Sequence, residues 1–98
     1  MSKPHPLINQ KASHYDANGE PYIKQLEREI SCAEMAGYCY GNIGKYKYRA
    51  EHKGQKESDL EKIADYERYF DVIKNLLHRG HKKLTVSHAL EIEGIKYD

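Results

Sequence analysis

The sequence predicts a small all-α fold: a bundle of three main helices plus a short C-terminal helix, preceded by an irregular N-terminal arm. Apolar residues recur at intervals of three and four in two long stretches, which is the pattern of helices that bury one face. Residues that favour helix ends and turns separate these stretches. At 98 residues the chain is long enough for one small domain and too short for two. We therefore expect residues 1–19 to form the arm and residues 20–98 to form a single helical domain.

The arm ends where the first predicted helix begins. Pro4 and Pro6 disfavour a helix near the N-terminus, and residues 16–19 have the composition of a turn. Pro21 suits the first turn of a helix, where its missing N–H group costs nothing. The apolar residues that follow at helical spacing are Ile23, Leu26, Ile30 and Ala33. This pattern predicts one helix with a single buried stripe, which ends near Gly37.

The tyrosine-rich middle of the chain fits two interpretations. Its tyrosines alternate with other residues, as in a strand, and Gly41 and Gly44 each cost a helix about 1 kcal/mol relative to alanine. In a helix, however, Asn42, Lys45 and Arg49 share one face. We expect a helix, in which the two glycines would let another backbone or a ligand approach closely.

The third helix has the clearest pattern. Ser58 and Glu61 predict a capping box at its start, in which each side chain bonds the backbone N–H of the other residue. The apolar seam of this helix consists of Ile63, Tyr66, Phe70, Ile73 and Leu77. We expect the helix to end at residues 79–80, and Thr85 to cap a short last helix over residues 86–91.

The small size and the tyrosine-rich composition favour association. A chain of 98 residues buries only a small core. Its nine tyrosines supply rigid, amphipathic side chains that suit contact with a ligand or a protein. We expect a homo-oligomer in which a second copy covers the seam of the third helix.

Charge and hydropathy argue against several classes of protein. Lys and Arg number 16 and Asp and Glu number 15, and this net charge of +1 argues against a nucleic-acid coat protein and a polybasic membrane anchor. The sequence contains no apolar run that could span a bilayer and no signal-peptide core, so we expect no membrane association and a cytoplasmic location. A C-terminal helix-turn-helix would carry Glu91 and Glu93 on its recognition helix, which argues against DNA binding.

Cysteines and histidines form no recognisable metal or redox motif. Cys32 and Cys39 are not in a Cys-x-x-Cys pair, and we expect reduced thiols that pack as small hydrophobes. The six histidines are scattered, and we expect them to be solvated surface residues. The sequence therefore predicts no metal site, and it assigns no catalytic residue.

One group of polar residues has the chemistry of a phosphate site. Its members are Asn42, Lys45, Tyr46, Arg49, Lys53, Asp59 and Lys62. Cations make charge-assisted hydrogen bonds to phosphate oxygens, arginine adds a bidentate fork, and a tyrosine ring can stack on a base or sugar. The alternative is a solvated face with ion pairs such as that of Arg49 with Glu51 or Asp59. Neither a Walker phosphate loop nor a dinucleotide-binding fingerprint is present.

The same residues belong to a longer pattern. It comprises His14-Tyr15, Glu20-Pro21, Gly41-Asn42-x-x-Lys45-Tyr46-x-x-Arg49-Ala50, Lys53-Gly54, Asp59-Leu60-x-Lys62 and Tyr66. This pattern resembles a small tailed-phage protein family of largely unknown function. Some of its longer members are phage nucleotide kinases that act on deoxynucleoside monophosphates. Lys47 departs from the family pattern, which usually has an apolar residue at that position.

The resemblance implies a phage-encoded nucleotide-binding protein in the host cytoplasm. The ligand contacts that it implies are Asn42, Lys45, Tyr46, Arg49, Lys53, Asp59 and Lys62, joined by His14 and Tyr15 if the arm folds back over the helices. Kinase activity would need a nucleoside phosphate, accompanied by Mg²⁺, in a site without a Walker loop.

The alternative function is a small phage protein that binds and inhibits a host factor, in defence or in nucleotide signalling, without catalysis. Such a protein would use an exposed apolar patch as its interface. The tyrosines that we expect in this patch are Tyr38, Tyr40, Tyr48 and Tyr69. Convergence of the cationic residues on one pocket would favour nucleotide binding instead.

Overall fold

The computed structural model describes residues 3–8, 20–52 and 56–97 of the chain. Within them it contains four helices, α1 (Tyr22–Glu29), α2 (Cys32–His52), α3 (Lys56–His78) and α4 (Val86–Ile92). The described residues form no strand beyond isolated bridges. The predicted all-α fold with a short C-terminal helix is confirmed. None of the helices in these ranges is both long and apolar enough to cross a membrane.

The first predicted helix is in fact two helices, so its predicted end near Gly37 is wrong. α1 stops before Ile30, whose backbone is extended, and α2 begins directly afterwards. Ser31 and Glu34 form a capping box at this junction: the Ser31 hydroxyl accepts from the Glu34 N–H at 3.1 Å, and the Glu34 carboxylate accepts from the Ser31 N–H at 2.9 Å. The apolar spacing runs through this break, which is why the periodicity alone does not reveal it.

α2 continues as one helix through the tyrosine-rich segment, as expected. The predicted close approach of another backbone to Gly41 and Gly44 is not seen among the described residues, because no atom beyond the adjoining residues and the backbone of α2 itself lies within 4 Å of a Cβ placed at either position. α3 starts at Lys56, so the predicted cap at Ser58 is wrong, since Ser58 lies within the first turn of the helix.

The ends of α3 and α4 agree with the sequence. Gly80 has a φ of +88°, which glycine adopts without strain. The N–H of His81 bonds the carbonyl of Leu76 at 3.1 Å and the N–H of Gly80 bonds that of Leu77 at 3.0 Å, a Schellman motif. Thr85 caps α4 by accepting a hydrogen bond from the N–H of His88 at 3.3 Å.

The core lies between the α2–α3 pair and the shorter helices α1 and α4. Its buried members are Ile23, Leu26, Cys32, Met35, Cys39, Tyr69, Ile73, Leu76, Val86, Ala89 and Leu90. In the predicted seam of α3, Ile63 and Ile73 are buried, but Tyr69 and Leu76 take the fully buried positions expected for Phe70 and Leu77. α3 packs against α2 and α4, and a wide apolar stripe therefore replaces the narrow seam.

Both cysteines are free and buried, as predicted. Burial raises the pKa of the Cys39 thiol to about 12 and also raises that of Cys32. They lie seven positions apart on one helix, a rise of about 10 Å, which is too far for a disulfide. They act as small apolar side chains of the core.

The expectation that all histidines are solvated is wrong for His5, which is only 2% exposed. The N–H of Leu7 donates to its Nδ1 at 3.0 Å, so its Nε2 carries the hydrogen and donates to Glu27 Oε2 at 2.9 Å. The Tyr69 hydroxyl donates to the same oxygen at 2.5 Å. This buried network binds residues 3–8, which we call the strap, to α1 and α3.

Candidate functional site

Three cationic side chains surround the ring of Tyr46. Lys45 Nζ lies 5.3 Å, Arg49 Cζ 5.8 Å and Lys62 Nζ 5.7 Å from the ring centroid. α2 supplies Lys45 and Arg49, and Lys62 comes from the facing part of α3. The negative face of an aromatic ring attracts cations at these distances. We call Lys45, Tyr46, Arg49 and Lys62 the cation cluster.

Asp59 lies beside the cation cluster and is only 2% exposed. Its Oδ1 is 3.8 Å from Arg49 Nε, whereas its Oδ2 is the one buried side-chain oxygen or nitrogen in the described ranges that has no hydrogen-bond partner. A buried acceptor without a partner costs about 1–3 kcal/mol. The Asp59 carboxylate is thus buried beside Arg49 with one oxygen that accepts no hydrogen bond.

The Tyr46 ring of the cation cluster packs in a row with two further tyrosine rings. The rings of Tyr46 and Tyr66 are stacked, with centroids 5.9 Å apart and planes 25° apart, and Tyr38 meets Tyr66 edge-on at 6.2 Å. Burial and a hydrogen bond with Tyr38 raise the pKa of the Tyr66 hydroxyl. Tyr66 thus remains a neutral, partly buried platform.

A cleft of about 860 Å³ separates the strap from the first half of α3. Two members of the cation cluster, Tyr46 and Lys62, line it together with Tyr66. The other α3 residues that line the cleft are Ser58, Glu61, Asp65 and Arg68. We call it the strap cleft. The expectation that the arm could fold back over the helices concerned His14 and Tyr15, and the sequence did not predict that residues 3–8, far away along the chain, form the second wall of a cleft.

The structure brings together most of the predicted site residues. Lys45, Tyr46, Arg49 and Lys62 form the cation cluster, and Asp59 lies beside it. Asn42 lies one turn before Tyr46 but is already engaged, because its amide donates to the Tyr38 carbonyl at 2.9 Å. His14, Tyr15 and Lys53 lie outside the described residues.

The solvated-face interpretation also agrees with the structure, because Lys45 and Lys62 are exposed and the Arg49–Asp59 pair is formed. The tyrosine patch predicted for a host-protein interface is not formed as expected. Tyr69 is fully buried and Tyr38 is half-buried, while Tyr40 is 73% and Tyr48 60% exposed. Convergence of the cations therefore distinguishes this region better than exposed aromatic surface does.

No group of three or more His, Cys, Asp or Glu side chains that could hold a metal ion occurs within residues 3–8, 20–52 and 56–97. Asp59, the carboxylate next to the cation cluster, is buried and does not face solvent, so it does not form an open site for a metal ion.

Comparison with known proteins gives a family match and a phage relative. The family model described as "Protein of unknown function (DUF3310)" matches residues 9–68, a range that contains the whole cation cluster and Asp59. The Gene 1.7 protein of Enterobacteria phage T3 is 38% identical over 61 residues, which are 59% of this chain and 34% of that protein. The chain thus spans about a third of the length of this relative. No solved structure matches at a significant level.

Proposed function

The chain belongs to the DUF3310 family, whose function is unknown, and on that premise we propose that it binds a nucleoside phosphate through the cation cluster. The relative in phage T3 supports a phage origin and, with it, action in the host cytoplasm. The observation that carries the proposal is the convergence of three cations from two helices on one tyrosine ring.

The cation cluster has an excess of positive charge that an anion would relieve. Arg49 is the member with an acidic partner, and Lys45 and Lys62 form no ion pair with any described residue. Like charges held close together repel one another, although the tyrosine ring compensates part of this cost. A phosphate group would neutralise the cluster and make charge-assisted hydrogen bonds to it.

The guanidinium of Arg49 stays available to a ligand. Its nearest acidic atom is Asp59 Oδ1, 3.8 Å from Nε and beyond hydrogen-bond distance, and 43% of the side chain is exposed. Guanidinium groups held in this way bind phosphate oxygens in a bidentate manner. Asp59 is therefore a positioning residue for Arg49, whose guanidinium it attracts by charge across 3.8 Å.

Titration of the purified protein with deoxynucleoside mono-, di- and triphosphates, with and without Mg²⁺, tests the proposal. A ligand at 100 times its Kd adds about 2.7 kcal/mol to the stability of the folded state, which is a clear rise in Tm. The variant Lys45→Ala/Lys62→Ala keeps the Arg49–Asp59 contact, and we expect it to weaken nucleotide binding by about tenfold or more.

The matched control is Lys82→Ala/Lys83→Ala, which removes two exposed lysines from the turn between α3 and α4. It should bind nucleotides as the unchanged protein does. Equal losses in both variants would point to a general effect of net charge and contradict a site at the cluster. Absence of any response to nucleotides would overturn the proposal. It would favour the alternative function, binding of a host protein, with Tyr40 and Tyr48 as contacts.

A further inference from the structure

The strap cleft continues the cation cluster on one side. Tyr46 and Lys62 belong to both, so a phosphate held by the cluster would lie next to the cleft. The remainder of a phosphorylated ligand must then extend either into solvent or into this cleft. Its volume of about 860 Å³ falls within the range of about 300–1,000 Å³ that is typical of small-molecule sites.

The lining of the cleft suits a flat ring joined to a sugar. The stacked pair of Tyr46 and Tyr66 contributes aromatic surface, and the strap contributes Pro4, Pro6, Leu7 and Ile8 on the opposite side. Arg68 and Asp65 pair with each other. Ser58 and Glu61 remain as groups that can exchange hydrogen bonds with ring N–H groups and hydroxyls.

The strap is a fixed wall of this cleft. Its His5 is buried in the network with Glu27 and Tyr69, and the N–H of Lys3 bonds the carbonyl of Lys96 at 3.1 Å. A wall held by buried hydrogen bonds does not have to be ordered when a ligand enters, which reduces the entropic cost of binding.

We propose that the strap cleft holds the nucleoside part, base and sugar, of the ligand whose phosphate is bound by the cation cluster. This inference rests on the proposed function and extends it from the phosphate to the organic part of the ligand. It makes the protein a binder of free mononucleotides, with the phosphate at the mouth of the cleft and the base between the tyrosine pair and the strap.

Filling the cleft tests the inference. Glu61→Trp places a large ring in the cleft from an exposed position on α3, and Glu67→Trp makes the same change on α3 outside the cleft. We expect Glu61→Trp to weaken binding of deoxynucleoside monophosphates by about tenfold or more and to change pyrophosphate binding by less than about twofold. Glu67→Trp should change neither affinity. Glu61→Gln, which removes the charge but keeps the volume, separates the effect of filling from that of charge.

The two proposals fail in different ways. Unchanged mononucleotide affinity in Glu61→Trp would overturn the assignment of the cleft and leave phosphate binding at the cluster intact. Equal weakening of mononucleotide and pyrophosphate would also overturn it, because the ring would then be disturbing the phosphate site. Failure of the unchanged protein to bind either compound would overturn the proposed function itself.

Discussion

Oε2 of Glu27 is the atom at which three distant parts of the chain meet. It accepts hydrogen bonds from His5 in the strap and from Tyr69 on α3, while Glu27 itself lies on α1. Glu27 is nearly fully buried, and a buried carboxylate is tolerated only where donors satisfy it. Burial and the neighbouring Glu27 carboxylate raise the pKa of the Tyr69 hydroxyl, which stays protonated and serves as a permanent donor.

Tyr69→Phe should therefore lower the free energy of unfolding. The change removes one donor from the buried Glu27 carboxylate and leaves the ring in place, at a cost of about 1–3 kcal/mol. Urea unfolding followed by circular dichroism measures the difference. Tyr40→Phe, at an exposed position, is the control and should change stability by less than about 0.5 kcal/mol. A similar small effect at Tyr69 would show that the hydroxyl contributes nothing to the fold.

The residues of the site were only partly predictable. Lys45 and Arg49 flank Tyr46 on one helix, so their proximity follows from helical spacing. The presence of Lys62 beside them depends on how α2 and α3 are aligned, which no local pattern specifies. The burial of Asp59 was equally hidden, because acidic residues near a helix start are usually exposed and interact with the helix dipole.

At the level of elements, two serines show what local patterns can and cannot specify. Both Ser31 and Ser58 precede a glutamate by three residues, yet only Ser31 caps a helix. Ser31 lies at the break between α1 and α2, where the backbone pairs with the segment before α4. The Cys32 N–H donates to the Leu84 carbonyl at 2.9 Å, and the Val86 N–H donates to the Ile30 carbonyl at 3.2 Å. The junctions before α2 and α4 thus support each other, and this tertiary contact decides which capping signal is used.

Glu93, just after α4, interacts with two residues that follow α3. Glu93 Oε2 lies 2.6 Å from His81 Nε2, and Glu93 Oε1 lies 3.3 Å from Arg79 Nη1. The hydrogen bond from His81 and the positive charge of Arg79 hold the pKa of the Glu93 carboxyl below its usual value of 4.5. An acid whose pKa is lowered by folding stabilises the folded state above its unfolded pKa and loses this contribution as the pH falls.

Glu93→Gln should accordingly lower the Tm near neutral pH and have a smaller effect in acid. We expect the difference between the variant and the unchanged protein to be present above the carboxyl's usual pKa of 4.5 and to shrink as the pH falls below it. Thermal unfolding between about pH 3 and pH 7 measures this dependence. A difference that stays constant over this range would mean that Glu93 contributes by packing and not by its charge.

At the scale of the whole molecule, a single chain covers only part of the apolar seam that suggested a homo-oligomer. Ile63 and Ile73 of α3 are buried within the chain, whereas Tyr66, Phe70 and Leu77 are half-buried. The homo-oligomer remains a prediction, and the exposed side chains of Tyr40 and Tyr48 add to the surface that a second copy could cover. The all-α class was predictable because it follows from periodicity, whereas the strap was not, since it depends on contacts between residues far apart in the chain.

The strap brings the two ends of the described chain together and should depend on His5. The centroid of the His5 ring lies 4.9 Å from those of the Tyr69 and Tyr97 rings, and the Lys3 N–H of the strap donates to the Lys96 carbonyl.

In His5→Ala the Leu7 N–H loses its acceptor and Glu27 loses a donor, so we expect the strap to detach while the helices remain folded. Hydrogen exchange should then be faster at Leu7 and unchanged in the core of α3, because local opening is reported by the amides that lose their bonds. His88→Ala, at an exposed position on α4, should leave the Leu7 amide protected. If the Leu7 amide kept its protection in His5→Ala, packing of the apolar strap residues would hold the wall of the cleft without the buried network.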